Sequence, residues 1–66
     1  MFALGMVYRD FARRMVYISL LDRSTNTIRG TNVHTGELQE YDERTGACRT
    51  ADSSYDLIPS TPDKGN

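Results

Sequence analysis

Met15-Val16-Tyr17-Ile18-Ser19-Leu20-Leu21, then Asp22-Arg23-Ser24-Thr25-Asn26, then Thr27-Ile28-Arg29-Gly30-Thr31-Asn32-Val33, then His34-Thr35-Gly36, then Glu37-Leu38-Gln39-Glu40-Tyr41-Asp42: this stretch decides the fold. Short runs with apolar and β-branched residues alternate with clusters of turn residues. The intervals are too short for helices, so the pattern predicts three strands joined by two tight loops, a β-meander. Val16, Ile18 and Leu20 point to one side of the first strand, and Met15, Tyr17, Ser19 and Leu21 to the other. Both sets are largely apolar, which predicts a strand covered on both faces. In a short chain that means a sheet curled into a small barrel, or a sheet face packed on a partner.

Gly36 is the natural residue for a positive φ in the second loop. A three-residue loop, His34-Thr35-Gly36, with Gly36 in the left-handed position is the first expectation. A two-residue Thr35-Gly36 loop is the alternative; it would place Val33 opposite Leu38, Arg29 opposite Asp42 and Gly30 opposite Tyr41. The two loops differ in register by one residue and so in face assignment. Gly30 inside a strand marks a bend or bulge.

Outward from the meander the pattern weakens. Leu4, Val7, Tyr8, Phe11 and Met15 fit helical spacing, but Gly5 interrupts the stripe and no capping residue precedes it. The alternative is a short strand, Met6-Val7-Tyr8-Arg9, a turn over Asp10 to Arg13, and the long strand from Arg14. The strand is preferred, because a fourth strand gives the meander the pairing it needs. A further turn is expected at Arg44-Thr45-Gly46, followed by a short strand over Ala47-Cys48-Arg49-Thr50. Tyr55-Asp56-Leu57-Ile58-Pro59 has the apolar character to dock as a single helical turn. The expected fold is therefore all-β, a small barrel or a meander of four to five strands. Residues 1–58 form the domain and 59–66 a disordered tail.

A chain of 66 residues is one small domain. It buries only about 60% of its unfolded surface, so its stability is marginal. Disulfides, metals or association commonly support such domains. One cysteine, Cys48, precludes an intramolecular disulfide. With a single histidine, His34, no cluster supplies the three or four ligands of a zinc site. No metal or other cofactor is expected, and a homodimer is the natural remaining support. No apolar run approaches the roughly 20 residues of a spanning helix, and no secretory signal is evident. The expectation is a cytoplasmic protein with no membrane partner.

The formal net charge of −1 hides an asymmetry. Residues 1–33 hold five arginines against Asp10 and Asp22. Residues 34–66 hold Arg44, Arg49 and Lys64 against Glu37, Glu40, Asp42, Glu43, Asp52, Asp56 and Asp63. Charge blocks of this size are usually solvated or paired, so the basic half is expected to pair with the acidic half, inside one domain or across a dimer.

Leu57-Ile58-Pro59-Ser60 resembles the short turn near the end of SH3 domains, which implies an SH3-like barrel. No aromatic residue follows it and no final strand is evident, so the proline-peptide groove of that family is not carried over. Gly5-Met6-Val7-Tyr8-Arg9-Asp10, followed by Val16 and Ile18, is similar to short uncharacterised proteins carried by prophages and plasmids of enteric bacteria. That resemblance implies a mobile-element accessory protein, such as one from a phage, and no particular activity.

An enzyme is not expected. His34 sits in a turn, Cys48 reads as a small apolar side chain in a last strand, and the acidic cluster from Glu37 to Glu43 lacks calcium-loop spacing. Protein binding has more support: seven arginines, four tyrosines and three methionines are residue types enriched at interfaces. The candidate binding residues are Tyr8, Arg9, Arg13, Arg14, Tyr17 and Arg29. The alternative is a small nucleic-acid-binding regulator that uses the same Arg/Tyr surface. A sequence pI near 5.6 speaks against a dedicated nucleic-acid binder.

Overall fold

The computed structural model describes residues 2–59. Four antiparallel strands run in sequence order across one sheet: β1 (Val7–Arg9), β2 (Met15–Asp22), β3 (Thr27–Asn32) and β4 (Leu38–Asp42). The expected meander is present, and the N-terminal segment supplies its fourth strand. Among the described residues the only helical element is a 3-10 turn, Ser53–Tyr55. That turn begins before Tyr55, whereas a helical turn was expected from Tyr55 onward. The sheet is open, and its two margins carry isolated bridges only: Asp10 with Leu57, and Tyr41 with Cys48. The strand expected over Ala47–Thr50 is thus a single bridge. All but the first residue of the expected 59–66 tail lies outside the described residues.

The loops share one construction. Asp22, Asn32 and Asp42 each end a run of strand, ten residues apart. Each turns its side-chain Oδ1 onto the backbone N–H two residues on: Ser24 at 3.0 Å, His34 at 2.8 Å and Arg44 at 2.8 Å. This satisfies a donor that the turn would otherwise strand. Each loop then passes through one left-handed residue, Asn26 (φ 55°), Gly36 (φ 78°) or Gly46 (φ 82°). The chain re-pairs at Thr27, Glu37 and Ala47. Asp52 repeats the side-chain contact onto Ser54 N–H, ten residues later again, where it caps the 3-10 turn.

This construction sets the register of the second hairpin. Gly36 N–H bonds to Asn32 C=O and Asn32 N–H to Glu37 C=O, both at 2.8 Å. Four residues, Val33 to Gly36, therefore form the loop, and neither the two-residue nor the three-residue loop is correct. Arg29 lies opposite Glu40, Gly30 opposite Gln39 and Thr31 opposite Leu38. Asn32 wins because its carboxamide accepts from both His34 and Thr35 N–H, which takes Val33 out of pairing with β4.

A bulge at Ser19 corrects the face assignment of β2. Ile18 pairs with Gly30, but Leu20 pairs with Arg29, so one residue is extra. Alternation resets there: Leu21 packs against the core and Leu20 turns outward, 39% exposed. The inner face of the sheet holds Tyr8, Val16, Ile18, Ile28 and Tyr41, closed over by Phe2 and Leu57. Gly30 lets the strands close up, because a Cβ there would lie 2.3 Å from Val16 Cγ1 and 3.0 Å from Tyr41 Cε1. Among the described residues nothing covers the outer face, where Tyr17 and Leu38 stay exposed, contrary to the expectation that β2 is buried on both sides.

Candidate functional site

The uncovered face is the feature of this fold that is available to a partner. Strand alternation and register set its composition. One row crosses all four strands: Val7 pairs with Tyr17, Tyr17 with Thr31, and Thr31 with Leu38. Tyr17 is 42% exposed and Leu38 58%. On one side of this row stand Arg9 and Met15, with Val33 bonded through its N–H to Met15 C=O at 3.1 Å. On the other side stand Leu20, Arg29 and Glu40. The face is thus apolar through its centre, with charged groups at its margins.

Those margins are largely neutralised within the chain. Arg29 Nη2 lies 3.2 Å from Glu40 Oε2, directly across the strand pair. Along the β4 margin, Arg29, Leu38, Gln39, Glu40 and Thr50 line a shallow groove of about 390 Å³. The Thr50 hydroxyl donates to Gln39 Oε1, and Cys48 Sγ lies 3.7 Å from the same oxygen. Cys48 is half-buried and bridged to Tyr41, which fits its reading as a packing residue.

The structure separates the six candidate binding residues. Tyr17 and Arg29 lie on the uncovered face, and Arg9 stands at its β1 corner. Arg13 is exposed in the β1–β2 turn with φ 67°. Tyr8 is corrected: it is 1% exposed, its ring meets Phe2 edge-on at 4.9 Å, and its hydroxyl accepts from Ala3 N–H at 2.8 Å. A strand residue two positions from a bulky partner faces the same way as Met6, and that way is the core.

Arg14 is a structural residue. Asp10 is buried at the end of β1, where Oδ1 accepts from Arg14 N–H at 2.8 Å and Oδ2 from Arg14 Nε at 2.9 Å. The Arg14 guanidinium also lies 4.0 Å from the centroid of the Tyr55 ring and 3.5 Å from Glu37 Oε1. A buried carboxylate persists only when paired and hydrogen-bonded, so this arginine is committed. The pair closes the turn between β1 and β2, and its signal in the sequence was an acid and an arginine at the two ends of the expected turn.

Two more groups stand out. The Tyr41 hydroxyl is buried without a hydrogen-bond partner among the described residues, and burial raises its pKa. Glu43 is buried, with Oε2 unbonded and Arg23 Nε 3.7 Å away. Neither opens onto the outer face. Among the described residues no group of three His, Cys, Asp or Glu side chains is placed to hold a metal ion. No described helix is long and apolar enough to cross a membrane. No family model, curated protein or solved structure matches the chain.

Proposed function

We propose that this chain is a small non-enzymatic protein-binding or regulatory module that acts through the uncovered face of its sheet. The observation that carries the reading is the row Val7, Tyr17, Thr31 and Leu38, half-buried at Val7 and Thr31 and exposed at Tyr17 and Leu38, with its flanking Arg29–Glu40 pair. An apolar centre with a polar margin is the anatomy of a protein interface. A phosphate backbone would require unpaired cations. Here Arg14 serves Asp10 and Arg29 serves Glu40, which weakens the nucleic-acid alternative. A cytoplasmic setting, an origin in a phage or mobile element, and an SH3-like barrel in which residues 56–58 close the sheet belong to the same proposal. They are supported by the sequence resemblances and by the Asp10–Leu57 bridge.

The test is capture of partners from a nuclease-treated lysate of the source organism, comparing the native chain with Tyr17→Ser. A nuclease-resistant protein complex lost on Tyr17→Ser is the expected result. Retention on single-stranded DNA or RNA that falls steeply with salt and weakens on Arg13→Ala would instead establish the nucleic-acid reading. Arg14 is unsuited to such a test, because its loss would disturb the fold.

A further inference from the structure

We infer that residues 48–58 form a strap that fastens both margins of the open sheet and opens as one unit, ahead of the sheet itself. The strap leaves one margin and ends on the other. At β4, Arg49 N–H bonds to Glu40 C=O at 2.8 Å, and Cys48 bridges to Tyr41. At β1, Ile58 N–H bonds to Arg9 C=O at 2.9 Å, and Leu57 bridges to Asp10. Between these points Tyr55 lies against the Arg14 guanidinium.

Asp56 couples the two fastenings. Its Oδ1 accepts from Cys48 N–H at 2.7 Å, on the β4 side. Its C=O accepts from Phe11 N–H at 3.1 Å, on the β1 side. Leu57 N–H bonds to Gly46 C=O at 2.8 Å, which ties the far end of the strap back to the turn that follows β4. Neither margin is released without loosening bonds that hold the other.

The strap is also the weakly held part of the fold. Of residues 48–58 only Leu57 is buried, and the strap meets the sheet in single bridges. β3, by contrast, is paired on both sides from Thr27 to Thr31. Segments with few buried apolar groups and exposed backbone bonds open locally, at less than the global cost. On opening, Leu57 leaves the core cluster, and Arg9 C=O, Phe11 N–H and Glu40 C=O lose their partners. Bare edge groups of this kind are templates for pairing with another strand. The closed strap is thus a guard on both margins at once.

The test is native-state hydrogen exchange of the full chain across low urea concentrations, with Asp56→Ala, Asp56→Asn and Asn32→Ala beside it. The amides of Phe11, Arg49, Leu57 and Ile58 should share one opening free energy, below that of the β3 amides and with a smaller urea dependence. Asp56→Ala should speed all four by about fivefold or more, as one net hydrogen bond is lost. Asp56→Asn keeps a side-chain acceptor and should restore part of the protection. Asn32→Ala removes the cap of the β3–β4 loop, outside the strap; it should speed the β3 amides and leave the four strap amides as they were. Three results would each overturn the inference. The four amides could match β3 in free energy and urea dependence, Asn32→Ala could speed them as much as β3, or Asp56→Ala could loosen one margin alone. Should Asp56→Ala fail to fold, the urea dependence of the native chain and the Asn32→Ala comparison still decide the matter.

Discussion

The Arg14 guanidinium lies 4.0 Å from the centroid of the Tyr55 ring, which ties the start of the second strand to the 3-10 turn near the far end of the described chain. The same side chain holds Asp10, whose neighbour Phe11 takes an N–H bond to Asp56 C=O at 3.1 Å. One arginine thus pins both the first turn and the C-terminal segment. Arg14→Ala leaves a buried carboxylate without its cation, and should cost about 2–4 kcal/mol. Lysine keeps the charge but loses the fork and the flat stacking surface, so Arg14→Lys should recover only part of the loss. Urea unfolding of the three proteins checks both statements. A lysine variant as stable as the native chain would show that charge alone matters.

Gly30 makes a second prediction. A methyl there would meet Val16 Cγ1 at 2.3 Å and Tyr41 Cε1 at 3.0 Å. Both are side-chain atoms, but both are buried and close-packed, so Gly30→Ala should destabilise by about 1–3 kcal/mol. Trimming Val16 to Ala in the same chain should cost less than the two single changes added together, because the clash is removed. Additive thermal shifts would contradict the close approach.

Acid should weaken the turns. Side-chain hydrogen bonding and pairing with Arg44 hold Asp42 at about 2, below its ordinary value of 3.8. Hydrogen bonds from Ser24 and Ser54 lower Asp22 and Asp52 in the same direction. A depressed carboxylate contributes stability that is full above the unfolded value and lost as pH falls through the folded one. Thermal midpoints should therefore drop between about pH 4 and pH 2. Asp42→Asn should keep the turn, since Asn32 makes the same backbone contact. It should be less stable than the native chain at neutral pH, with the difference shrinking steadily as pH falls from about 4 through 2. A difference of the same size at neutral pH and at pH 2 would place the role of Asp42 outside its charge.

The Tyr41 hydroxyl offers a test of opposite sign. It is buried with no partner among the described residues, and an unsatisfied buried hydroxyl costs on the order of 1–3 kcal/mol. Tyr41→Phe keeps the ring against Gly30 and Ile28 and should be neutral or stabilising. A loss of more than about 1 kcal/mol in denaturant unfolding would reveal a hydrogen bond at that oxygen.

The strands were legible because hydrophobic and β-branched residues alternate between Gly-, Asn- and Asp-rich turns, and Val7–Arg9, Met15–Asp22, Thr27–Asn32 and Leu38–Asp42 all follow that pattern. Register was not legible. It depends on whether the Asn32 carboxamide takes two backbone donors, a local contact with no hydrophobic signature. The bulge at Ser19 was hidden because Leu20 and Leu21 are both apolar, so a one-residue slip leaves the pattern unchanged. For the same reason the burial of Tyr8 could not be separated from the exposure of Tyr17: the two rings stand on opposite faces. The ten-residue recurrence of Asp22, Asn32, Asp42 and Asp52 was in plain view, but its meaning needed the hydrogen bonds.

That recurrence fixes one dimension of the molecule and frees another. Each ten-residue step spends four residues on turning, which leaves at most six for strand, about 20 Å at the usual rise. A sheet assembled from such steps has a set height whatever its number of strands. Adding one step widens the sheet but sends the chain out at the opposite end; adding two widens it and restores the exit. Growth by pairs of steps would leave the existing turns and their side-chain caps untouched.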